Sequence, residues 1–492
     1  MQTLPHDLYR AAQVRELDRL AIEQCGIAGG MLMERAGAAA FALLRRCWPQ
    51  VRRVGVVCGV GNNGGDGFVL ARLAREAGLE VMLYQVGEAA RLRGDALAAS
   101  RAVGMAAQPL VAGALRHCDV VVDALLGTGL SGEVRDEWHR AIAAINDSGR
   151  PVLALDIPSG LDADSGVPQG CAVRAEATIT FIGLKQGLLT GAGPALCGAL
   201  HFADLAVPSE VYVRVAAAAR RLDLAQFRSL LVPRARDAHK GDFGHVLVVG
   251  GECGYAGAVR LAAEAAARSG AGLVSVATRV AHAAAITAAR PELMCHGVES
   301  AAELEPLLRR ATVVVVGPGL GQGAWGQRML GRLLQVRQPL VMDADALNLL
   351  ALEPVRRDDW ILTPHPGEAG RLLGEDATDV QRDRFAAAIG LQASYGGVVV
   401  LKGPGSLVLG DDGMPGICNG GNPGMASGGM GDVLSGILGA LIAQGLSLRD
   451  AAGVGVCLHA AAADAAVQMA GERGLLASDL FPHLRQLINT SY

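Results

Sequence analysis

Residues 419–436, NGGNPGMASGGMGDVLSG, combine the residue types that binding and transferring a phosphate would require. The glycines allow backbone N–H groups to converge on an anion, and an apolar helical pattern from Val433 onward would add the positive end of a helix. Asp432 lies within this anion cradle, where its carboxylate would repel a phosphate unless it has a chemical task. One interpretation is a general base that takes a proton from a hydroxyl attacking a phosphoryl group. The alternative is that Asp432 caps the helix, since Asp favours the N-cap position.

Polar residues also follow three apolar runs in the first half of the chain. They are Asn62, Asn63 and Asp66 after the run 54–58, Asp123 within 119–126, Asp156 in 152–157, and Ser159. The carboxyl ends of parallel strands meet at one edge of a sheet, so we expect these side chains to lie together. Such oxygen ligands, of low total charge, suit a monovalent or weakly held cation better than zinc. Turn chemistry is the alternative for each residue taken alone.

Further polar turns occur at Lys185 and in the second half of the chain. Lys402 opens the turn KGPGS, which we expect to hold a nucleotide phosphate or ribose. His365 lies between two prolines and either contacts a ligand or caps a loop. Asp343 and Asp345 either engage a magnesium–phosphate group through water or cap the next helix. Lys185 either faces an anionic substrate or is solvated. The sequence contains no Walker A motif, which excludes a P-loop enzyme.

These turns alternate with strand and helix patterns along both halves of the chain. Helical spacing occurs at 11–25, where we expect Asp18 to face outward, at 31–48 and at 68–77. Short apolar runs that indicate strands lie at 54–58, 81–86, 119–126, 152–157, 177–182, 245–249, 272–277, 312–316, 339–342 and 397–401. The alternation predicts doubly wound parallel sheets with helices on both faces. The polar segment 207–238 is the expected linker between two domains.

The composition is that of a globular protein and excludes several functional classes. Of 492 residues, 51% are hydrophobic and 4% aromatic, and the net charge is −4, so nothing indicates nucleic-acid binding. The ten cysteines form no CxxC pair, which favours a reducing compartment over a zinc site or a disulfide framework. The first residues lack an apolar signal core, and no run of about 18 uncharged apolar residues could span a membrane. We therefore expect a cytoplasmic protein.

Several motifs resemble those of two known enzyme families. The first half carries GVGNNGGDG, DALLGTGLSGE and DIPSGLDADSG, and resembles the YjeF N-terminal family of NAD(P)H-hydrate epimerases. The second half carries KGDFGHVLVVGG, GPGLG, DADALN, TPHPGE, KGPGS and GNPGMASGGMGDVLSG, and is similar to the ribokinase-like ADP/ATP-dependent NAD(P)H-hydrate dehydratases. In this order the motifs resemble the bacterial bifunctional NAD(P)H-hydrate repair enzymes over nearly the whole chain. The resemblance implies two three-layer α/β/α domains, a Rossmann-like one at 1–215 and a ribokinase-like one at 224–492.

The resemblance also implies a role for each motif position. In the epimerase domain, the hydrated cofactor would be bound by Asn62, Asn63, Gly64, Gly65, Asp66, Gly127, Thr128, Gly129, Leu130, Ser131, Gly132, Glu133 and Asp156. Potassium would be bound by Asn63, Asp123 and Ser159. In the dehydratase domain, the hydrate would be bound by Ala258, Gly319, Gly321, His365 and Asp432. The adenine nucleotide would be bound by Lys402, Gly403, Pro404, Gly405, Ser406 and Gly431. The catalytic residues would be Asp432 and Asp156.

The implied chemistry repairs a nicotinamide cofactor whose reduced ring carries a hydroxyl at C6. The first domain would interconvert R- and S-NAD(P)HX, with Asp156 moving a proton or assisting ring opening. The second would dehydrate the S epimer to NAD(P)H, with Asp432 activating the hydroxyl for attack on the terminal phosphate of ADP, giving AMP and phosphate. The resemblance favours ADP over ATP, and Mg²⁺ would accompany the nucleotide. We expect a homo-oligomer with neither a nucleic-acid nor a membrane partner.

Three other functions agree with parts of the pattern. A ribokinase-like vitamin or sugar kinase would share the Gly-Asp anion site but would leave a phosphorylated product. The first half would, in a second alternative, be a non-catalytic nucleotide-binding or interaction module. A Rossmann dehydrogenase rests only on the G-x-G-x-x-G of Gly59, Gly61 and Gly64. That alternative is weak because the second strand, ending near Gln85, lacks the expected acidic partner for a ribose.

Overall fold

The computed structural model of the protein describes residues 4–130 and 132–489. Ser131, which was expected to contact the hydrated cofactor, therefore lies outside the described residues. The chain divides once into two compact units, unit 1 (Met1–Arg220) and unit 2 (Arg221–Tyr492). The narrower domain bounds expected from the sequence, 1–215 and 224–492, stay a prediction.

The described residues of unit 1 form ten strands and seven α-helices. The strands are β1 (Asp7–Tyr9), β2 (Arg53–Cys58), β3 (Glu80–Gln85), β4 (Gln108–Pro109), β5 (Val120–Ala124), β6 (Val152–Leu155), β7 (Ala177–Phe181), β8 (Leu184–Lys185), β9 (Ala199–Ala203) and β10 (Ala219–Leu222), the last of which crosses the boundary. The helices are α1 (Ala11–Glu23), α2 (Gly29–Cys47), α3 (Asn62–Glu76), α4 (Gly94–Ala102), α5 (Asp136–Asn146), α6 (Gly193–Cys197) and α7 (Ser209–Val213).

Seven of these strands form one parallel sheet in the order β4-β3-β2-β5-β6-β7-β9. Strand β2 shows why the sheet is covered on both faces. Val54 and Val56 belong to a core shared with α1, α2 and α3, whereas Val57 faces the core shared with α5. Successive side chains of a strand point to opposite faces, so a continuous apolar run produces three layers.

Unit 2, within its described part, has nine strands and eleven α-helices. The strands are β11 (His245–Val249), β12 (Leu273–Thr278), β13 (Met294–Gly297), β14 (Val313–Val316), β15 (Leu340–Met342), β16 (Trp360–Leu362), β17 (Val398–Leu401), β18 (Ser406–Leu409) and β19 (Gly416–Cys418). The helices are α8 (Ala256–Arg268), α9 (Val280–Ala289), α10 (Ala301–Leu308), α11 (Ala324–Leu333), α12 (Ala344–Leu352), α13 (Pro366–Leu373), α14 (Ala377–Arg382), α15 (Arg384–Tyr395), α16 (Met430–Ala443), α17 (Leu448–Ala470) and α18 (Leu480–Leu487).

The strands of unit 2 follow the order β13-β12-β11-β14-β15-β16-β17-β18-β19. Pairing is parallel from β13 to β17 and antiparallel from β17 to β19. Val246 and Val248 pack in a core with α8, α16 and α17, and the alternating Leu247 and Val249 are fully buried as well. The two doubly wound sheets confirm the fold class that the strand and helix patterns predict.

Helix α17 is long and apolar, although the sequence analysis found no run that could span a membrane. Among the described residues, it is the one helix long and apolar enough to cross a membrane by length and composition. Of its most apolar window, 67% is buried inside the protein, and residues such as Val454 and Leu458 belong to the core of unit 2. The helix is therefore accounted for as a core element.

Candidate active sites

The polar loops of unit 1 lie where the winding of the sheet reverses. From β2 the chain moves to β3 and β4 on one side, and it then returns to continue from β5 to β9 on the other. Ligands of open α/β sheets bind at the carboxyl ends of the strands beside such a reversal. Asn63 follows β2, Asp123 lies in β5 and Asp156 follows β6, so the expected grouping of these three strand ends is present.

The segment after β2 turns into a helix earlier than the sequence pattern indicates. A helix was expected from Phe68, whereas α3 begins at Asn62, so that residues 62–66 occupy its first turns rather than a loop. Glycine makes this possible, because a β-carbon on Gly64 would lie 2.1 Å from the carbonyl oxygen of Gly59. The free N–H groups of the helix start consequently lie beside the polar side chains.

A cavity of about 670 Å³ opens at this edge of unit 1. The predicted residues that line it are Asn62, Asn63, Asp66, Gly127, Thr128, Gly129, Leu130, Glu133 and Asp156. Gly64 and Gly65 are instead buried inside α3, and Gly132 has a left-handed backbone outside the cavity wall. The sequence analysis missed Asp18 and Asp95, which also line the cavity. The pattern of α1 placed Asp18 on its outer face.

Asp123 and Ser159 lie together next to the cavity, where Ser159 Oγ accepts from the N–H of the lining residue Leu126, and both are fully buried. The Ser159 hydroxyl donates to Asp123 Oδ1 at 2.6 Å, and the Ser159 N–H donates to Oδ2 at 2.8 Å. Burial raises the pKa of Asp123 to about 6, although these hydrogen bonds and the Leu125 N–H act in the opposite direction. A nearby cation would favour the ionised form of this carboxylate.

The side chain of Asn63 is buried beside the cavity. Among residues 4–130 and 132–489, neither its Oδ1 nor its Nδ2 has a hydrogen-bond partner. A buried, unsatisfied amide is unfavourable, so a water molecule or an ion is the expected partner. Its oxygen, with those of Asp123 and Ser159, is a donor set that fits potassium chemically.

Asp156 is paired with a lysine that the sequence analysis placed wrongly. Lys185 is fully buried, rather than solvated or facing a substrate. Its ammonium donates to Asp156 Oδ1, to Thr180 Oγ1 at 2.9 Å and to the Phe181 carbonyl oxygen at 3.0 Å. The backbone of Asp156 is left-handed, with φ of 65°, a conformation that non-glycine residues rarely adopt.

Two more carboxylates face Asp156 across the cavity. Burial, followed by the charge of Asp156, raises the pKa of Asp66 well above its ordinary value. The same two causes raise the pKa of Asp18. Lys185 opposes the increase in both groups. The site therefore places two carboxyl groups with raised pKa values close to Asp156.

The glycine loops of unit 2 also meet at a reversal of winding, between β11 and β14. Gly319 has a left-handed φ of 59°, and a β-carbon there would lie 2.6 Å from Tyr255 Cβ and 3.2 Å from Ala258 Cβ. The loops after β11 and β14 therefore bring Ala258 and Gly319 together. Gly321 lies next to them, where its N–H donates to Asp345 Oδ2 at 2.9 Å.

Asp432 is the third residue of α16, whereas Gly429 holds the N-cap position. The capping interpretation of Asp432 is therefore wrong. Gly429 has a φ of 91°, which turns the glycine-rich loop sharply into the helix. Burial, followed by the charge of Asp343, raises the pKa of Asp432 to about 7, against the opposing charge of Lys402. A general base acts best when its pKa lies near the working pH.

An ion pair connects the ends of β15 and β17 beneath Asp432. Lys402 Nζ lies 2.6 Å from Asp343 Oδ1, and the Ser435 hydroxyl donates to Oδ2 at 2.7 Å. Burial opposes the ionisation of Asp343, but the charge of Lys402 and these hydrogen bonds hold its pKa below the ordinary value. A β-carbon on Gly431 would lie 3.2 Å from Lys402 Nζ, so the first turn of α16 packs directly on this pair.

The side chain of Asp343 does not cap the next helix, whereas the magnesium–phosphate interpretation of Asp343 and Asp345 stays a prediction. Asp343 occupies the N-cap position of α12, but its side chain makes no cap hydrogen bond and is held by Lys402 and Ser435. Asp345 accepts from the Gly321 N–H and, at 3.2 Å, from Gln322 Nε2. These contacts arrange the loops around the site.

His365 caps helix α13. Its Nδ1 accepts from the N–H groups of Gly367 at 3.0 Å and Glu368 at 3.4 Å, and Glu368 accepts from the His365 N–H in return. Burial, followed by the charges of Lys402 and Arg371, lowers the pKa of His365. Because Nδ1 accepts, the neutral ring carries its proton on Nε2, which leaves that N–H as a donor.

A buried arginine that the sequence analysis missed supports the turn Lys402–Ser406. Arg384 is fully buried, and it donates to the carbonyl oxygens of Leu401 at 3.2 Å, Lys402 at 3.3 Å and Gly405 at 3.4 Å. Burial lowers its pKa to about 10, at which it stays charged near neutrality. The sequence does show an arginine at the start of an otherwise apolar helix. A charged residue at that position is common, so the pattern did not indicate a buried arginine.

Comparisons with known proteins support the family resemblance of each half of the chain. A family described as NAD(P)H-hydrate dehydratase matches residues 246–486, and one described as YjeF-related protein N-terminus matches residues 29–187. The chain is 54% identical to the bifunctional NAD(P)H-hydrate repair enzyme of Coxiella burnetii over 98% of its length and 99% of that protein. It is 45% identical to that of Escherichia coli, over 99% and 95%.

Among solved structures, an ADP/ATP-dependent NAD(P)H-hydrate dehydratase from Bacillus subtilis, co-crystallised with ATP and Mg²⁺, resembles this chain. The two share 28% identity and a TM-score of 0.50, over 55% of this chain and 99% of that one. Two α/β units, each with an acid-lined site at its switch point, thus make up an enzyme with two active sites. The chain belongs to the family of bifunctional NAD(P)H-hydrate repair enzymes, with an epimerase domain and a dehydratase domain.

Proposed function

We propose that Asp432 is the general base of the dehydratase and that ADP supplies the activating phosphate. The observation that supports this most directly is a carboxylate with a pKa of about 7 in the first turn of a helix, above a lysine. Asp432 removes the proton of the C6 hydroxyl, and the oxygen attacks the terminal phosphorus of ADP, so that AMP leaves. The helix start and Lys402 stabilise the transferred charge.

The remaining steps restore the reduced ring. Phosphate is a better leaving group than hydroxide, so the C6–O bond breaks with the electron pair going to the phosphate, as the ring nitrogen donates its lone pair to C6. Loss of the proton at C5 then gives the dihydropyridine of NAD(P)H. The balanced products are NAD(P)H, AMP and phosphate. Ala258, Gly319, Gly321 and His365 bind the hydrate beside Asp432 in this proposal.

The adenine nucleotide is assigned to the turn Lys402–Ser406 and Gly431. Support comes from the Bacillus subtilis relative, which was co-crystallised with ATP and Mg²⁺. In this chain the turn is fixed by Arg384, and Gly431 adjoins Lys402. Mg²⁺ enters with the nucleotide and neutralises phosphate charge. The carboxylates of Asp343 and Asp345 already have partners, so they are not assigned as its ligands.

Asp156 is assigned as the proton-transferring residue of the epimerase, within the cavity of unit 1. The residues of this cavity wall bind the hydrated nicotinamide nucleotide, with the N-terminal N–H groups of α3 available for its phosphates. Opening and reclosing at C6 on the other face of the ring inverts the centre, and each direction moves one proton. Asp156 lines the cavity and is held by Lys185, which suits this role.

Potassium is assigned to Asn63, Asp123 and Ser159. The unsatisfied amide of Asn63 supports this assignment, as does the burial of Asp123. A bound cation supplies fixed positive charge next to the substrate site. We expect KCl, compared with choline chloride at equal ionic strength, to raise the unfolding temperature of the enzyme. Asn63→Ala is expected to abolish that increase, and an unchanged potassium response in this variant would remove Asn63 from the site.

The activity test uses a mixture of both NADHX epimers and follows absorbance at 340 nm, with and without ADP. Full ADP-dependent recovery is the expected result, because it requires both active sites. Recovery that stops at the S fraction would contradict the assignment of unit 1. A stable phosphorylated product in place of NADH would instead support a kinase. Replacing ADP with ATP in the same assay determines which nucleotide is preferred.

A cytoplasmic location and a homo-oligomeric state are also part of this proposal. All ten cysteines are free thiols, which agrees with a reducing compartment. Light scattering of the purified enzyme after size exclusion tests the oligomeric state, with a mass above 50.6 kDa expected. A monomer mass would show that one chain is sufficient.

A further inference from the structure

Lys185 stands directly behind the proposed proton-transferring residue of the epimerase. It is fully buried, whereas Asp156 lines the cavity. The ammonium has three partners, namely Asp156 Oδ1, Thr180 Oγ1 and the Phe181 carbonyl oxygen. A buried lysine is rare and requires compensation by a partner of opposite charge. The Lys185 ammonium therefore contacts Asp156 from inside the protein and not from the cavity.

The strand that carries Lys185 is itself held in place. Strand β8 pairs with β1, where Tyr9 lies opposite Lys185. The main chain of Asp156 is fixed from the other side, because its N–H donates to the Ile179 carbonyl oxygen at 2.7 Å. The ammonium and this backbone bond together hold Asp156 in its left-handed conformation. Unfavourable backbone conformations of this kind persist where the surroundings impose them, and they concentrate at functional sites.

We propose that Lys185 is a positioning residue of the epimerase, which fixes the carboxylate of Asp156 in the orientation needed to exchange a proton with the hydrate. The inference rests on the proposed function of unit 1. Without the ammonium, the Asp156 carboxylate loses both the hydrogen-bond donor and the ion-pair partner that Lys185 provides. The carboxylate would then turn away from its working position. Lys185 itself does not line the cavity, so we expect its loss to change kcat more than KM.

The test compares full-length Asp156→Asn, Lys185→Met and the double variant. Conversion of R- to S-NADHX is followed by chromatography without ADP, so that the dehydratase does not contribute. For Lys185→Met we expect kcat to fall on the order of 100-fold, because misplacing a catalytic group has effects of that size, while KM stays within about twofold. Since Lys185 acts through Asp156, the double variant should be no slower than Asp156→Asn.

The same samples provide the control for folding. Dehydration of S-NADHX with ADP takes place in unit 2 and should remain at the wild-type rate in all three variants. If Lys185→Met unfolds unit 1, the far-UV circular dichroism signal falls in part while the dehydratase stays active. Thr180→Val is then used instead, because this change removes one partner of the ammonium and keeps its charge. We then expect kcat to fall several-fold at constant KM, and a wild-type kcat would contradict the proposal.

The possible outcomes separate this inference from the function on which it depends. Wild-type kcat in Lys185→Met, losses that multiply in the double variant, or a change confined to KM would each overturn the positioning role. Wild-type epimerisation by Asp156→Asn would overturn the assignment of Asp156 itself. An inactive Asp156→Asn with a fully active Lys185→Met would leave the proposed function standing and reject only the role of Lys185.

Discussion

Asp432 combines a near-neutral pKa with a place at the positive end of a helix. Ionisation, with a pKa of about 7, creates the base, so kcat/KM of the dehydratase should rise with pH through this value. Asp432→Asn should lose about 10²- to 10⁴-fold in kcat at pH 8. Initial rates with S-NADHX and saturating ADP between pH 5 and pH 9 measure both effects. A flat profile in the wild type would show that another group is the base.

The same carboxylate lowers stability where it is ionised. Its pKa is raised from 3.8 to about 7 in the folded state, so the stability associated with the protonated form is lost as the pH rises through this interval. Asp432→Asn is therefore expected to unfold at a higher temperature than the wild type at pH 8, with a smaller difference at pH 4. The exposed Asp411→Asn is the control, and equal shifts for both variants would contradict this explanation.

Residue type was sufficient to find Asp432, Asn63 and Asp156 as candidates, because each contrasts with its glycine-rich or apolar neighbours. It was insufficient for Lys185 and Asp18. Lysine is seldom fully buried, so sequence reasoning assigns it to solvent by default. Asp18 lies among charged residues on an amphipathic helix, and the polar lining of a cavity is indistinguishable from a solvated face in such a pattern. Only tertiary structure separates these cases.

At the scale of elements, the loop after β2 packs closely against the first turn of helix α3, where Gly59 meets Gly64. This close packing determines where the helix begins. Gly64→Ala would place a methyl group 2.1 Å from the Gly59 carbonyl oxygen, a backbone atom that does not move freely. We expect a loss of about 1–3 kcal/mol in stability and lower epimerase activity, with the dehydratase unchanged.

Gly61→Ala is the matched control for this element. A β-carbon on Gly61 has no atom within 4 Å, and its φ of −96° is accessible to alanine. The loss should stay below about 1 kcal/mol, since only the N-cap preference changes. Thermal unfolding of both variants measures the difference, and equal losses would show that packing against Gly59 is not the reason for the glycine.

Arg384, the first residue of α15, holds the turn Lys402–Ser406 of the dehydratase in place. Arg384→Met removes the donors to the carbonyl groups of Leu401, Lys402 and Gly405, and so weakens the turn Lys402–Ser406. We expect a higher KM for ADP and a stability loss of about 1–3 kcal/mol. The exposed Arg382→Met, two positions away, should change stability by less than about 0.5 kcal/mol. A KM for ADP that is equal in both variants would show that the turn is maintained without Arg384.

At the scale of the whole molecule, the fold was largely predictable because both sheets consist of continuous apolar strands. The run 245–249 coincides with β11, and the other nine expected strands agree with observed strands to within two residues at each end. Short strands such as β4, β13 and β19 were not expected. Helix beginnings were less predictable. Both α3 and α16 start inside glycine-rich segments, where helix propensity is low. Packing against strand ends therefore determines where these helices begin. Those two helix starts adjoin the two proposed active sites, so the errors in helix beginnings occur there.

The two sites are expected to work without passing substrate directly. An equimolar mixture of Asp156→Asn and Asp432→Asn then contains one working epimerase and one working dehydratase on different chains. We expect this mixture to convert both NADHX epimers fully to NADH at a rate set by the active sites present. Comparison with wild-type enzyme at an equal concentration of each site is the measurement. Slower repair by the mixture would indicate transfer within one chain.

The chain crosses from one unit to the other a single time, at Arg220–Arg221. Every ribosome that completes the message therefore delivers the two catalysts in a one-to-one ratio, whatever the level of expression. The standing fraction of R epimer then depends on the relative turnover numbers of the two sites, and not on how much enzyme is made. A cell that doubles its supply of this protein speeds the repair of both epimers together and leaves their proportions unchanged.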